Sequence, residues 1–142
     1  MEQIGSYLGR KITIVDPEEA KLLNSAEIMS DALVLVWMQD DSDQSVQLLE
    51  SVSEFHPPAM LVCGPGAKKG FDVILNCLSL NPTAPHTMTS MSDESPVDCV
   101  QQLLQGTWPS EDRFDEWRGY TLVAPKTNAH ELRSAAIRFS DE

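Results

Sequence analysis

Ala32-Leu33-Val34-Leu35-Val36-Trp37-Met38 is apolar at every position, and that run limits the possible folds more than any other segment. A strand with one wet face alternates apolar and polar residues, whereas a strand covered on both faces does not. The run is far too short to span a bilayer. It therefore belongs in the middle of a parallel sheet, with helices packed on either side.

The rest of the chain repeats that logic. Lys11 to Val15 is a β-branched run that stops at Asp16-Pro17-Glu18-Glu19, where a capping Asp, a first-turn Pro and two acids predict a helix start. Ala20, Leu23 and Ala26 or Ile28 supply its inward stripe. After Asp40-Asp41-Ser42-Asp43, Leu48, Val52 and Phe55 mark a second helix that His56-Pro57-Pro58 ends. Ala59 to Cys63 reads as a strand, Gly64 to Gly70 as a turn, and Phe71, Ile74, Leu75 and Leu78 as a helical face closed by Asn81-Pro82. A weaker, Thr-rich strand at His86 to Met91 suggests a sheet edge. Ser95-Pro96-Val97-Asp98 combines cap, first-turn Pro and acid, which predicts a helix through Val100, Leu103 and Leu104. A short helical segment is expected at Glu111 to Arg118, with Ser110 as its cap. Tyr120 to Ala124 is the last strand, and Asn128 is expected to cap a helix carrying Leu132, Ala135, Ala136 and Phe139.

Strands alternating with helices at this spacing imply right-handed crossovers. The expected fold is a single three-layer α/β/α domain over residues 1–142 with a mainly parallel five-stranded sheet, flavodoxin-like or Rossmann-like in broad shape. Strand order cannot be read from periodicity.

Ten Lys and Arg stand against 22 Asp and Glu, a formal charge of −12. A surface that tracks nucleic acid needs clustered cations, so nucleic acid is not an expected partner, and neither is a membrane. Cys63, Cys77 and Cys99 are an odd set without CxxC spacing, which fits reduced thiols and a cytoplasmic setting. Met1 to Arg10 lacks the apolar core of a secretion signal.

Open α/β sheets bind ligands at the carboxyl ends of their strands. That edge should collect Asp16, Asp40, Asp41, the Gly64 to Gly70 loop, Asp93, Glu94 and Lys126. Acids facing a lysine resemble the composition of magnesium-dependent phosphotransfer sites, but Cys63-Gly64 stands where a phosphoryl-accepting aspartate would be needed. No metal site or cofactor is assigned. Gly64, Gly66, Lys68, Lys69 and Gly70 are candidates for binding a phosphate, since glycines after a strand and before a helix can cradle an anion. The spacing matches neither GxGxxG nor the Walker pattern, and a tight turn with two solvated lysines explains it more simply. Cys63 could serve as a nucleophile at a helix start, although a small buried residue at a strand end is the simpler role. His56, His86 and His130 lack ligand spacing, and Ser6, Ser53, Ser79 and Ser90 occur in no GxSxG elbow. No catalytic residue is assigned.

The remaining candidate is a surface of Trp108, Glu111, Asp112, Asp115, Glu116 and Trp117, in which acids interleave with aromatics as in an inhibitor that docks on a basic enzyme. The competing account puts Trp108, Phe114 and Trp117 in the core, with the acids as their solvated face. The expected function is a non-enzymatic acidic protein-binding module, such as an immunity-type or inhibitory protein acting on a basic partner. The alternative is a small-ligand or nucleotide-phosphate-binding domain, with or without Mg-dependent enzyme activity, built on the Gly64 to Gly70 loop.

Overall fold

The computed structural model describes residues 2–17, 29–80, 83 and 85–141. In chain order its elements are β1 (Glu2–Tyr7), β2 (Arg10–Val15), β3 (Ala32–Trp37), α1 (Asp43–Ser53), β4 (Ala59–Cys63), α2 (Ala67–Ser79), β5 (Met88–Ser92), α3 (Pro96–Gly106), a 3₁₀ turn (Glu111–Glu116), β6 (Gly119–Val123) and α4 (Lys126–Phe139). The helix expected after Pro17 falls on residues 18–28, outside the described residues, and so does the stop at Asn81-Pro82.

The six strands form one sheet in the order β1-β2-β6-β3-β4-β5. Every pairing is parallel except that of β1 with β2. The fold is thus α/β with helices on both faces of a mostly parallel sheet. The five strands expected from sequence are present and mutually parallel where they pair, and β1 is a sixth that corrects the count. It was hidden because Glu2–Tyr7 is half polar and contains Gly5. Leu8 and Gly9 both have positive φ, at 52° and 75°, which turns the chain straight back into β2 in the manner of a two-residue hairpin. The outer side of β1 is tied to the end of the chain. Ser6 N–H donates to Ser140 Oγ at 3.2 Å, and Asp141 N–H donates to Ser6 O at 2.8 Å.

β3 behaves as its composition requires. Leu33 and Leu35 pack with Val100, Leu103, Leu104, Leu132 and Ala136 of α3 and α4, while Val34 and Val36 pack with Leu49 and Val52 of α1 and Ile74 of α2. The helix starts also follow local chemistry. Ser42 Oγ accepts the Ser45 N–H at 3.3 Å, and Ser95 Oγ accepts the Asp98 N–H at 3.3 Å, each filling one of the orphan donors of a first turn.

Three local expectations are corrected. The segment before β6 is a 3₁₀ turn, and Ser110 makes no capping bond there; its hydroxyl donates instead to Asp112 Oδ1 at 2.7 Å. α4 begins at Lys126 behind Pro125, so Asn128 sits inside the first turn. Leu75 is 44% exposed, and the buried face of α2 is Ala67, Gly70 and Ile74.

The strand order fixes where the sheet opens. Counting β3, β4, β5, β6 and β2 as first to fifth gives 3-2-1-4-5, the order of the first five strands of doubly wound dinucleotide-binding sheets, reached here with the fifth strand at the front of the chain. The reversal falls between β3 and β6. From β3 the chain enters α1 on one face, and from β6 it enters α4 on the other.

Candidate functional sites at the two ends of the sheet

Parallel strands give the sheet an amino end and a carboxyl end, and the candidate residues divide between them. At the carboxyl end, Asp16 after β2, Gln39 and Asp40 after β3, and Lys126 after β6 line one crevice of about 280 Å³, together with Trp37 and Ser45. Asp40 is oriented within it. Its Oδ1 accepts the Ser42 N–H at 3.0 Å and Ser45 Oγ at 2.8 Å. Hydrogen bonds from Ser42, hydroxyl before backbone, and then from Ser45 hold the Asp40 carboxyl below its ordinary value. Thr127 Oγ1 donates to Gln39 Oε1 at 3.1 Å, which links the loop after β3 to the start of α4. Of the residues expected at this end, Asp16, Asp40 and Lys126 are brought together. Asp41 lies instead in a separate hollow of about 390 Å³ with Gly66, Lys68 and Lys69, and Asp93 and Glu94 line neither.

The glycine loop has a different task from the one its spacing suggests. Gly66 N–H donates to Met38 O at 3.1 Å, Ala67 N–H to Gly64 O at 3.0 Å, and Gly70 N–H to Gly66 O at 3.0 Å. These donors are already used within the protein. Gly64 has φ +95°, and a Cβ there would run into Met38 O; a Cβ on Gly66 would run into Asp40 O, and one on Gly70 into Met38 Sδ. The glycines let the turn after β4 pack directly against the backbone of the loop after β3. Lys69 Nζ adds a bond to Asp41 O at 3.0 Å. Lys68 is exposed to solvent beside it.

The thiols are placed for packing. Cys63 and Cys99 are both fully buried in the cluster under α3 and α4. Burial pushes the Cys63 thiol far up, with the neighbouring Cys99 adding to the shift. Hydrogen bonding from Cys63 lowers Cys99. Burial, with Glu50 second, raises Cys77. Among the described residues, no group of three or more His, Cys, Asp or Glu side chains is placed to share a metal ion. No helix among them is long and apolar enough to cross a membrane.

At the amino end, the segment from Trp108 to Trp117 forms a raised aromatic surface, and the two accounts of it each hold for part of the set. Trp117 is 3% exposed and belongs to the core. Trp108 and Phe114 are 48% and 43% exposed, and both rest edge-on against Trp117, with ring centroids 5.6 and 5.4 Å away. Arg10 lies over the Trp117 ring, its Cζ 3.7 Å from the centroid, and its Nε donates to Trp117 O at 3.1 Å. Glu111, Asp112, Asp115 and Glu116 are all exposed in the same segment, and Arg10 also lies 5.8 Å from the Phe114 ring.

Arg113 holds this surface in place, and sequence reasoning missed it by reading it as one charge in a solvated run. It is 4% exposed. Nη1 donates to Pro57 O at 3.1 Å and His86 O at 2.8 Å, and the other face of the guanidinium grips Glu116 through Nε at 3.1 Å and Nη2 at 3.3 Å. One side chain thereby ties the 3₁₀ turn to the chain just before β4 and β5. The only sequence cue was an arginine three residues before a glutamate, which is the spacing of a helical ion pair.

Comparison with protein families, with curated proteins and with solved structures finds no match for the chain.

Proposed function

We propose that the chain is a non-enzymatic protein-binding module that docks a basic protein through the amino end of its sheet. The observation that carries this reading is the pair of half-exposed rings, Trp108 and Phe114, propped on buried Trp117 in a segment whose Glu111, Asp112, Asp115 and Glu116 are all exposed. Half-exposed aromatics on a rigid base suit the centre of an interface. They bury much apolar area at small entropic cost, and fully desolvated aromatic anchors carry most of the energy at protein contacts. An acidic rim selects the partner's sign, and −12 over the whole chain steers a cationic surface toward it. Immunity-type and inhibitory proteins are the class this chemistry suits, the partner being an enzyme whose own substrate is anionic. The 3-2-1-4-5 strand order supports a Rossmann-like shape over a flavodoxin-like one, and a cytoplasmic location fits the free cysteines.

The rings and the rim test separately. Capture on the immobilised chain, from a lysate of the cells that make it, is expected to retain a basic protein. Trp108→Ala combined with Phe114→Ala should weaken that binding by about 2 kcal/mol or more; because both rings also pack edge-on against Trp117, a urea melt of the variant is run beside the capture to show that it is folded. Undiminished capture by the double variant contradicts the aromatic anchor.

A further inference from the structure

We infer that the free edge of the sheet, β5, pairs antiparallel with β5 of a second copy of this chain, so that two sheets run on as one across a two-fold axis at Ser90. The inference does not rest on the amino-end surface.

The two edges of the sheet differ. β1 is protected in the ways natural edges are. Its pairing slips between Gln3 and Gly5, it carries Glu2, and its outer side is tied to Ser140 and Asp141. β5 ends the strand order on the other side. Met88 N–H donates to Pro58 O at 3.2 Å, and Met60 and Val62 stand opposite Thr89 and Met91. That phase turns the backbone groups of Met88, Ser90 and Ser92 toward β4 and leaves the N–H and C=O of Thr89 and Met91 pointing outward, with no backbone partner among the described residues. Such a row is a template for another strand. Met88 to Ser92 contains no Lys, Pro or acid that would block one.

Charge and register select a second copy. On a chain of −12 most faces repel their own kind. Pro85 to Ser92, however, holds no ionisable residue except His86, and Asp93 and Glu94 follow directly. Parallel pairing of two copies would set those acids side by side. Antiparallel pairing sets them beside the acid-free start of the other β5. Centred on Ser90, it places Thr89 of each copy opposite Met91 of the other, so that every outward N–H and C=O of these residues is used in the pattern of an antiparallel ladder.

The helix above the edge fits the same arrangement. α2 packs on β4 and β5 and against α1. Its Cys77 faces α1, sharing a hollow with Glu50, so Phe71 and Leu75, one turn apart, lie on the flank turned away from α1. Phe71 is half-buried and Leu75 is 44% exposed, and Met91 packs on the same face of the sheet. Strands lie about 4.8 Å apart, so a helix seated over β4 and β5 comes about 10 Å from its two-fold mate, close to the 8–10 Å of packed helices. The second α2 thereby covers Leu75, an apolar side chain that the single chain leaves in water.

The test is sedimentation equilibrium of the purified full chain from micromolar to millimolar concentration. A species of twice the chain mass is expected, and its fraction should rise with salt, because screening weakens repulsion between two acidic bodies. Thr89→Pro removes an outward N–H without touching the β4 ladder and should raise the dimer dissociation constant about tenfold or more. Ser90 is half-buried at the edge, where a long side chain can reach water. Ser90→Lys and Ser90→Glu each set like charges opposite one another on the axis, and each should be monomeric where the native chain is dimeric. An equal mixture of the two should recover the dimer, which misfolded variants could not do. The inference is overturned if the native chain stays monomeric at millimolar concentration, if either Thr89→Pro or Ser90→Lys leaves the dimer intact, or if the mixture fails to recover it. A monomeric native chain whose partner capture is lost in Thr89→Pro would mean that the edge takes a strand of another protein, and overturns it equally. Trp108→Ala with Phe114→Ala should leave the dimer unchanged, so failure of this interface is distinguishable from failure of the amino-end surface.

Discussion

Arg113→Ala should lower the stability of the folded chain by about 3 kcal/mol, a large effect for a residue that sequence places in a charged surface run. Most of the loss comes from Pro57 O and His86 O, which receive Arg113 Nη1 at 3.1 and 2.8 Å and would be left without that donor. A buried acceptor stripped of its partner, as Pro57 O would be, costs about 1–3 kcal/mol, and the part-buried His86 O adds less because water can reach it. The ion pair itself contributes less, because the Glu116 side chain is 48% exposed and pairs open to water are worth about 1 kcal/mol at most. Glu116→Gln should therefore cost well under half as much as Arg113→Ala. Arg113→Lys should not restore stability, since an ammonium cannot present a planar fork to the carboxylate while reaching both carbonyls. Urea unfolding of the three variants checks the order. Equal losses for Arg113→Ala and Glu116→Gln would mean that the ion pair, not the carbonyl bonds, holds the 3₁₀ turn.

Gly64→Ala is expected to cost about 2–5 kcal/mol. Part is the left-handed backbone, at roughly 1–2 kcal/mol for a residue with a Cβ. The remainder is overpacking, typically about 1–3 kcal/mol, because the added carbon meets Met38 O and stands 3.1 Å from Cε2 of Trp37. Gly70→Ala is the control. Its added carbon meets mainly the flexible end of the Met38 side chain, which can move aside, so the cost should stay near the low end of overpacking. Urea melts of the two variants separate backbone collision from side-chain crowding. Equal, small losses would mean that the turn after β4 is not packed against the loop after β3.

Much of this architecture was legible because it rests on local chemistry. The unbroken apolar run at Ala32–Trp37 could only be a central strand, and Ser95-Pro96 with Asp98 marked the start of α3 to the residue. Other features rest on contacts that no local pattern carries. Strand order comes from pairings between β6, late in the chain, and both β2 and β3. The role of Arg113 depends on carbonyls 56 and 27 residues away. β1 escaped notice because a hairpin turn normally advertises itself with Asn-Gly or Asp-Gly, and here Leu8 occupies the first positive-φ position. Trp108 and Trp117 look alike in sequence, yet one is half exposed and the other is core; burial of an aromatic in an irregular segment follows from what packs beneath it. At the carboxyl end, sequence placed Asp16, Asp40 and Lys126 on one edge, because strand ends converge in any parallel sheet, but it placed Asp41, Asp93 and Glu94 there too, and these do not line the same crevice. It could not show that the glycines were occupied by the adjacent loop, since that contact needs the two turns in three dimensions.

The central claim is that an acidic aromatic surface at the amino end of the sheet docks a basic protein. The measurement that bears on it most directly is the association rate of the captured partner with the native chain and with Glu111→Lys, Asp112→Lys, Asp115→Lys, from low to high ionic strength. Glu116 is left in place because it pairs with Arg113. Rim charges act chiefly on association, and salt shortens the screening length to about 8 Å at physiological strength. The account predicts a basic partner, a rate for the native chain that falls steeply with salt, and a slower rate for the triple variant with a much flatter salt dependence. An acidic partner, or a native association rate indifferent to salt, would contradict it.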